Sequence, residues 1–383
     1  MSQVVRIALL MGQDLSFSRA VIRGIREYAL LKPCWTFRNG PPSLAVIPEL
    51  KAWKPHGIIA NLFDEEFARS LLRLRKPVID TACAVSGFRA PVVDVDHEAV
   101  GAMAAEHFLG RGFRHFGYFG IRGASYSERR EHSFCRRLAE EGHTASICYG
   151  DYINQVPTVK SWKSLDREAS NWLRKLPKPV AIFACNDIPA RTLADTCLLL
   201  GFKIPGDVAL LGVDNDDLEC SLTVPQLSSI EIPGERIGYQ AAEMLDQMLE
   251  GGTRPESAFL PPVGLVTRQS TDMTAITDPA VSAALDFMRE HATQGINVES
   301  VLLHVGVTRR DLERKFRRLL HSSILQELRR IRVEHAKRLL AGTSLPMPAV
   351  ARHSGFSSPQ RLAVVFRQFE RISPTEYRRQ VRG

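Results

Sequence analysis

Along residues 1–275, short apolar runs alternate with stretches whose apolar positions recur every three to four residues. The runs VVRIALLM, HGIIANLF, KPVIDTA, HFGYFG, PVAIFACND and DVALLGVDN have strand length. Between them, residues 18–31, 97–111, 129–141 and 234–250 keep helical spacing. Alternating strands and helices predict a parallel, doubly wound sheet. About 275 residues suffice for two such lobes.

From residue 276 the pattern turns helical. NVESVLLHV predicts a short helix with Val298, Val301, Leu302 and Val305 inward. Gly306 permits a turn, and Thr308 with Asp311 forms a capping box for a second helix. In that helix Leu312, Phe316 and Leu319 share one face, and Arg310, Glu313, Arg314 and Arg317 the other. A short helix, a glycine turn and a capped basic helix predict a helix-turn-helix. The pattern returns 50 residues later, with Ser358, Leu362 and Phe366 in the places of Thr308, Leu312 and Phe316. Pro359 suits the first helical position. The second outer face, Gln360, Ala363, Val364 and Arg367, is far less basic. Between the copies, residues 321–340 predict an amphipathic helix with a stripe of Ile324, Leu325, Leu328, Ile331, Leu339 and Leu340. Twenty residues at about 1.5 Å each span roughly 30 Å, close to one major-groove repeat of about 34 Å.

Charge sharpens this picture. Of a net +8, residues 276–383 carry 19 Lys and Arg against 10 Asp and Glu, a balance of +9. Residues 1–275 carry 31 against 32, a balance of −1. A basic module on a near-neutral body suits a polyanion. Arg310 and Arg314 are candidates for bidentate contact with guanine edges. Arg309, Arg317, Arg318, Arg361 and Arg367 suit phosphates or solvent. No apolar run approaches the roughly 20 residues of a membrane span. The start of the chain, without a small-residue cleavage site, reads as a buried strand and not as a signal peptide, which places the protein in the cytoplasm. Seven cysteines without a CxxC pair read as free thiols in a reducing compartment.

In the larger part, polar residues stand at strand ends, where doubly wound folds bind ligands. They are Asp96 after PVVDV, Asn186 and Asp187 after AIFAC, and Asp214 after LLGV, with Arg130 at a helix start after HFGYFG. Carboxylates, an amide and a guanidinium can each engage two neighbouring hydroxyls of a small polyhydroxylated ligand. Phe17, in the loop after the first strand, is a candidate for stacking on the ring. Each of these taken alone reads more readily as a helix cap or turn former, and the set gains weight because all its members fall at strand ends. No G-x-G-x-x-G, G-x-S-x-G, H-E-x-x-H, Walker loop or metal-spaced Cys/His group is present, so no catalytic role, cofactor or metal is expected.

The segment RVEHAKRLLAGTSLPMPAVARHSGFSSPQRLAVVFRQFERISPTEYRR resembles AraC-type transcription regulators, which carry two helix-turn-helix units joined by a long helix. Val364, often polar in that family, and Glu370, often apolar, depart from it. DHEAVGAMAAEHFLGRGFRHFGYFG, RREHSF, AIFACNDIPA and VALLGVDND resemble the sugar-sensing domain of the lactose-repressor and periplasmic-binding-protein superfamily. That resemblance implies an effector cleft lined by Arg130, Asn186 with Asp187, and Asp214. The order, sensor first and DNA module last, resembles the xylose operon regulators. It implies a two-lobed α/β sensor over 1–275 and an all-α DNA-binding domain over 276–383. It further implies D-xylose or another pentose as effector, double-stranded promoter DNA and RNA polymerase as partners, a homodimer, and activation by cleft closure. The competing reading is a sugar-transport binding protein with a basic C-terminal module; the 50-residue recurrence and the missing export signal speak against it.

Overall fold

All six apolar runs become parallel strands. In chain order the first unit opens with β1 (Val5–Leu10), α1 (Ser16–Ala29), β2 (Trp35–Gly40), α2 (Ile47–Trp53), β3 (Gly57–Ala60), α3 (Glu65–Leu72), β4 (Val78–Asp80) and β5 (Val93–Val95). It continues with α4 (His97–Leu109), β6 (Phe116–Ile121), α5 (Ser125–Glu140), β7 (Ala145–Gly150), β8 (Tyr152–Ile153), β9 (Val156–Pro157) and α6 (Trp162–Lys175). After these come β10 (Val180–Ala184), α7 (Asp187–Leu199), β11 (Val208–Val213), α8 (Asp217–Leu222), β12 (Ser228–Glu231), α9 (Gly234–Leu249), β13 (Ala258–Leu260) and β14 (Gly264–Val266). The computed structural model describes residues 4–13, 15–85, 87–153, 156–157, 162–252, 254–272, 278–320, 322–342 and 345–382. The chain divides into Met1–Met273 and Thr274–Gly383. The boundary expected between residues 275 and 276 lies outside the described residues.

The first unit has two lobes. In one, the sheet order is β2-β1-β3-β4, all parallel. In the other it is β14-β12-β11-β10-β6-β7, parallel except for β14. Central strands β3, β6, β10 and β11 are buried at every residue, as expected for strands covered on both faces. The edge strand β2 exposes Thr36, Phe37, Arg38 and Asn39, so its sequence carries no apolar run.

Three crossings join the lobes: β5 into α4, β12 into α9, and β13 into β14. They lie side by side. Asp96 N donates to Leu260 O at 2.7 Å, and Val263 N to Glu231 O at 2.9 Å. The returning helix α9 packs on α1 so closely that a Cβ on Gly24 would lie 1.9 Å from Glu235 O, and one on Gly238 1.9 Å from Val21 O. Only glycine permits that approach.

The second unit is helical: α10 (Pro279–His291), α11 (Val298–Val305), α12 (Arg309–Leu320), α13 (Ile324–Gly342), α14 (Met347–His353), α15 (Pro359–Glu370) and α16 (Pro374–Arg382). It holds two small cores. Val281, Leu285, Met288, Val301, Leu312 and Phe316 form one, and Val350, Leu362, Val365 and Phe366 the other. Helix α13 serves both, with Ile324 and Leu328 in the first and Val333, Ala336 and Leu340 in the second. The stripe expected on this helix therefore needs correction. Leu325 is 40% exposed, and Val333 and Ala336 carry the contacts instead.

Candidate functional site

The lobes enclose a small cavity beside the crossings. Phe17 at the start of α1, Phe63, Ala82 and Asp94 of β5 contribute from one side. Tyr126 and Arg130 of α5, Asn186 and Asp214 contribute from the other, with His97 and Ile232 at the crossings. Apart from Asp94 within β5, each polar member sits past the carboxyl end of a strand or in the helix that follows, because that is where the backbone leaves the sheet.

Several polar atoms here are buried and lack a partner: Arg130 Nε, Asn186 Oδ1 and both ring nitrogens of His97. His97 Nε2 lies 3.3 Å from Asp94 Oδ2, without hydrogen-bond geometry. Burial lowers the His97 pKa, against the pull of Asp94, so the ring is neutral and offers one donor and one acceptor. Asn186 Nδ2 donates to Asp214 Oδ2 at 2.7 Å, while its own carbonyl oxygen has no partner. Arg130 donates through Nη1 to Cys185 O and stacks its guanidinium 5.2 Å from the Tyr126 ring centroid. Burial pushes the Asp214 carboxyl up to about 6, opposed by the Arg130 charge and the Asn186 hydrogen bond. Unsatisfied buried donors and acceptors cost about 1–3 kcal/mol each. A cluster of them around Phe17, Phe63 and Tyr126 suits a ligand dense in hydroxyls with an apolar ring face.

The backbone at Asp214 is strained toward the same end, with φ of 110° there and 53° at Asn215. Asp187 holds this turn from beneath. It accepts from Ser229 Oγ at 2.6 Å and from Asp216 N at 2.8 Å. A Cβ on Gly212 would lie 2.1 Å from Asp187 Oδ1, so the carboxylate occupies the space glycine leaves.

Of the residues expected from sequence, Phe17, Arg130, Asn186 and Asp214 meet in this cavity. Two do not reach it. Asp96 is the N-cap of α4 and accepts from Glu98 N and Ala99 N, because the strand ends at Val95 and the chain turns there. Asp187 is spent on the turn below. Arg130 also lies within α5, which begins at Ser125, and not at a helix start. Asp94, His97, Phe63 and Tyr126 went unread. For Asp94 a signal existed: a lone carboxylate between two valines of a buried strand.

In the second unit the recurrence is visible in atoms. Thr308 Oγ1 accepts from Asp311 N at 3.3 Å, and Ser358 Oγ from Arg361 N at 3.2 Å. Leu312, Phe316, Leu362 and Phe366 are buried. The Asp311 carboxylate turns to Arg314 and Lys315 and does not close the expected capping box. Arg310, Arg314 and Arg317 are exposed on α12, as are Gln360, Arg361, Val364 and Arg367 on α15. Arg309 pairs with Glu299 at 3.1 Å. Glu313 is half-buried with Oε2 unpartnered, so it does not belong to the outer face expected for it.

Residues 105–271 match the family profile described as a periplasmic binding protein-like domain, and residues 303–380 that of a helix-turn-helix domain. The xylose operon regulatory protein of Escherichia coli (strain K12) is 29% identical over 382 residues, covering 97% of this chain and 96% of its own. Its counterpart from Haemophilus influenzae is 28% identical, with 98% of each chain covered. A solved structure of a xylose-binding transcription activator is 27% identical, with a TM-score of 0.78 and 99% of each chain covered. The chain is similar to the xylose operon regulators along nearly its whole length.

The match of this regulator to its relatives spans both units, so sensor and helix-turn-helix units are shared and not assembled separately from two sources. The relatives are transcription regulators and not enzymes. Among the regulator's described residues, no group of His, Cys, Asp and Glu is placed to hold a metal. Nor is any described helix long and apolar enough to cross a membrane.

Proposed function

We propose that this protein is a sugar-responsive transcription regulator that senses a pentose, D-xylose in the first instance, and acts on double-stranded promoter DNA. One observation carries the sensing half: the buried, unpartnered atoms of Arg130, Asn186 and His97 converge between two carboxylates and three aromatic rings. Arg130 and Asn186 offer donor and acceptor to ring hydroxyls, Asp94 and Asp214 accept from them, and Phe17 stacks on the apolar ring face. Asp187 acts through Asp214 by fixing its turn, and Asp96 by starting α4. The family likeness supports D-xylose, since relatives are named for it.

Sugar bound between the lobes favours the closed state by its greater affinity for that state, and closure repositions the helix-turn-helix units of a homodimer. Arg310 and Arg314 read base edges, with Thr308, Arg309 and Arg317 supporting the grip of the first helix-turn-helix unit. Ser358, Gln360, Arg361 and Arg367 serve the second, beside an apolar contact from Val364. The complex recruits RNA polymerase in the cytoplasm and activates genes of sugar use. Calorimetry of the protein against a panel of monosaccharides tests the first half; heat from pentoses alone is expected, and silence across the panel sinks it. A gel shift with and without that sugar tests the second.

Arg314→Ala is expected to weaken specific binding by about 1–3 kcal/mol while sparing non-specific duplexes. Equal losses on both would make Arg314 a phosphate contact.

A further inference from the structure

A groove in the second unit lies between the two helix-turn-helix units. Its walls come from the segment ahead of α11 (Gly295, Ile296, Asn297), from α13, and from the α14–α15 turn with the first turns of α15. Four arginines line it: Arg329, Arg332, Arg352 and Arg361, with no Asp or Glu among its lining residues. Arg332 is committed, donating to Ala292 O at 2.9 Å and Ile296 O at 2.6 Å, and burial lowers its pKa. Gly355 closes on the same place; a Cβ there would lie 2.2 Å from Ala292 O. The two units are thereby latched together at the floor of the groove.

The other three arginines are different. Other arginines of this unit pair with carboxylates, Arg309 with Glu299, Arg314 with Asp311 and Arg330 with Glu327. Among the described residues none pairs with Arg329, Arg352 or Arg361. Three guanidinium groups converging on one concavity repel each other unless an anion neutralises them. Arg361 also stands next to Gln360 at the exposed start of α15, so the groove opens toward the side of the second reading helix.

We infer that this groove seats the sugar-phosphate backbone of the DNA where it passes between the two helix-turn-helix units, with Arg329, Arg352 and Arg361 as phosphate ligands. The inference rests on the DNA-binding reading above. Planar guanidinium groups suit phosphate oxygens bidentately. A third grip, placed between two sequence-reading helices, sets their register on one duplex without reading bases.

The test uses the full-length protein and measures duplex affinity against salt concentration, for a promoter duplex and a random one. Arg352→Ala should lower both affinities alike. It should also flatten the salt dependence by about 0.9 in slope, so that raising salt from 50 to 200 mM costs about 3.5-fold less affinity than in the parent. Arg352→Lys should restore most of the slope, and an unchanged melting temperature in both variants shows that folding is intact. Arg329→Ala gives an independent second reading should the first variant unfold. An unchanged slope in both alanine variants overturns the inference, as does a loss confined to the promoter duplex. So does saturable binding of inorganic phosphate or pyrophosphate to the parent with an unchanged DNA slope in the variants, which would make the groove a small-anion site. If the parent binds no duplex at all, the DNA-binding reading itself has failed.

Discussion

Two aspartates, two residues apart, divide the work at the first crossing. Asp94 lies in β5 between buried valines and lines the cavity, whereas Asp96 lies one residue past the strand and caps α4. Sequence spacing cannot separate them, since both follow apolar residues; where the backbone turns decides. Asp80 adds a buried charge nearby, at the end of β4. Its Oδ1 accepts from Leu62 N at 3.2 Å and Ala82 N at 3.0 Å, yet burial pushes its pKa up to about 7. The folded state thus binds a proton more tightly than the unfolded chain, where an aspartate titrates near 4. Its stabilising contribution is full below about 4 and is lost as pH rises through about 7. Asp80→Asn keeps the accepting oxygen without the charge. Its melting temperature is expected to gain on the parent as pH rises from 5 to 8; a constant difference would refute the assignment.

At the scale of elements, helices α1 and α9 show how closely the fold specifies itself. Gly24 and Gly238 touch backbone of the opposite helix, so neither position accepts a side chain without separation of the pair. Gly238→Ala is expected to cost about 1–3 kcal/mol in chemical denaturation, because overpacking forces backbone to move. A cost near zero would mean that the helices slide apart freely. The helix-turn-helix units were legible because their signals are local: a cap, then a leucine four residues on and a phenylalanine eight on, the last two buried in both copies. The stripe on α13 was legible only in part. It serves two cores on different faces, so a single stripe admits Leu325, which is exposed, and omits Val333 and Ala336.

Across the sensor, helix α4 runs from the cavity to the end of the unit. His97 in its first turn lines the cavity. At its far end His107 Nε2 lies 2.9 Å from Thr271 Oγ1, and Arg111 Nε, just past the helix, donates to Thr271 O at 3.0 Å. Burial lowers the His107 pKa to about 3, so this grip stays neutral at the histidine and insensitive to ordinary pH. Thr271 is the second residue before the stretch leading to the second unit. Arg111→Ala is expected to leave sugar affinity and sugar-free DNA affinity within about twofold of the parent, and to shrink the change in DNA affinity that sugar produces. Such a change in coupling alone is worth about 1–3 kcal/mol in regulators of this kind. An undiminished response would remove α4 from the path.

The sequence by itself determined the kinds of element, their order, the twin capped helices and the confinement of the net positive charge to the last 108 residues. Those features rest on periodicity and nearest-neighbour chemistry, which act over a few residues. Only the tertiary structure decided that Asp94, His97 and Tyr126 join Arg130, Asn186 and Asp214 around one cavity, and that Asp96 and Asp187 do not. These residues come from segments up to 120 positions apart, gathered by three crossings whose geometry depends on how the lobes pack. A side chain's direction is set where its strand ends and by what lies against it, and neither is written in its immediate neighbours.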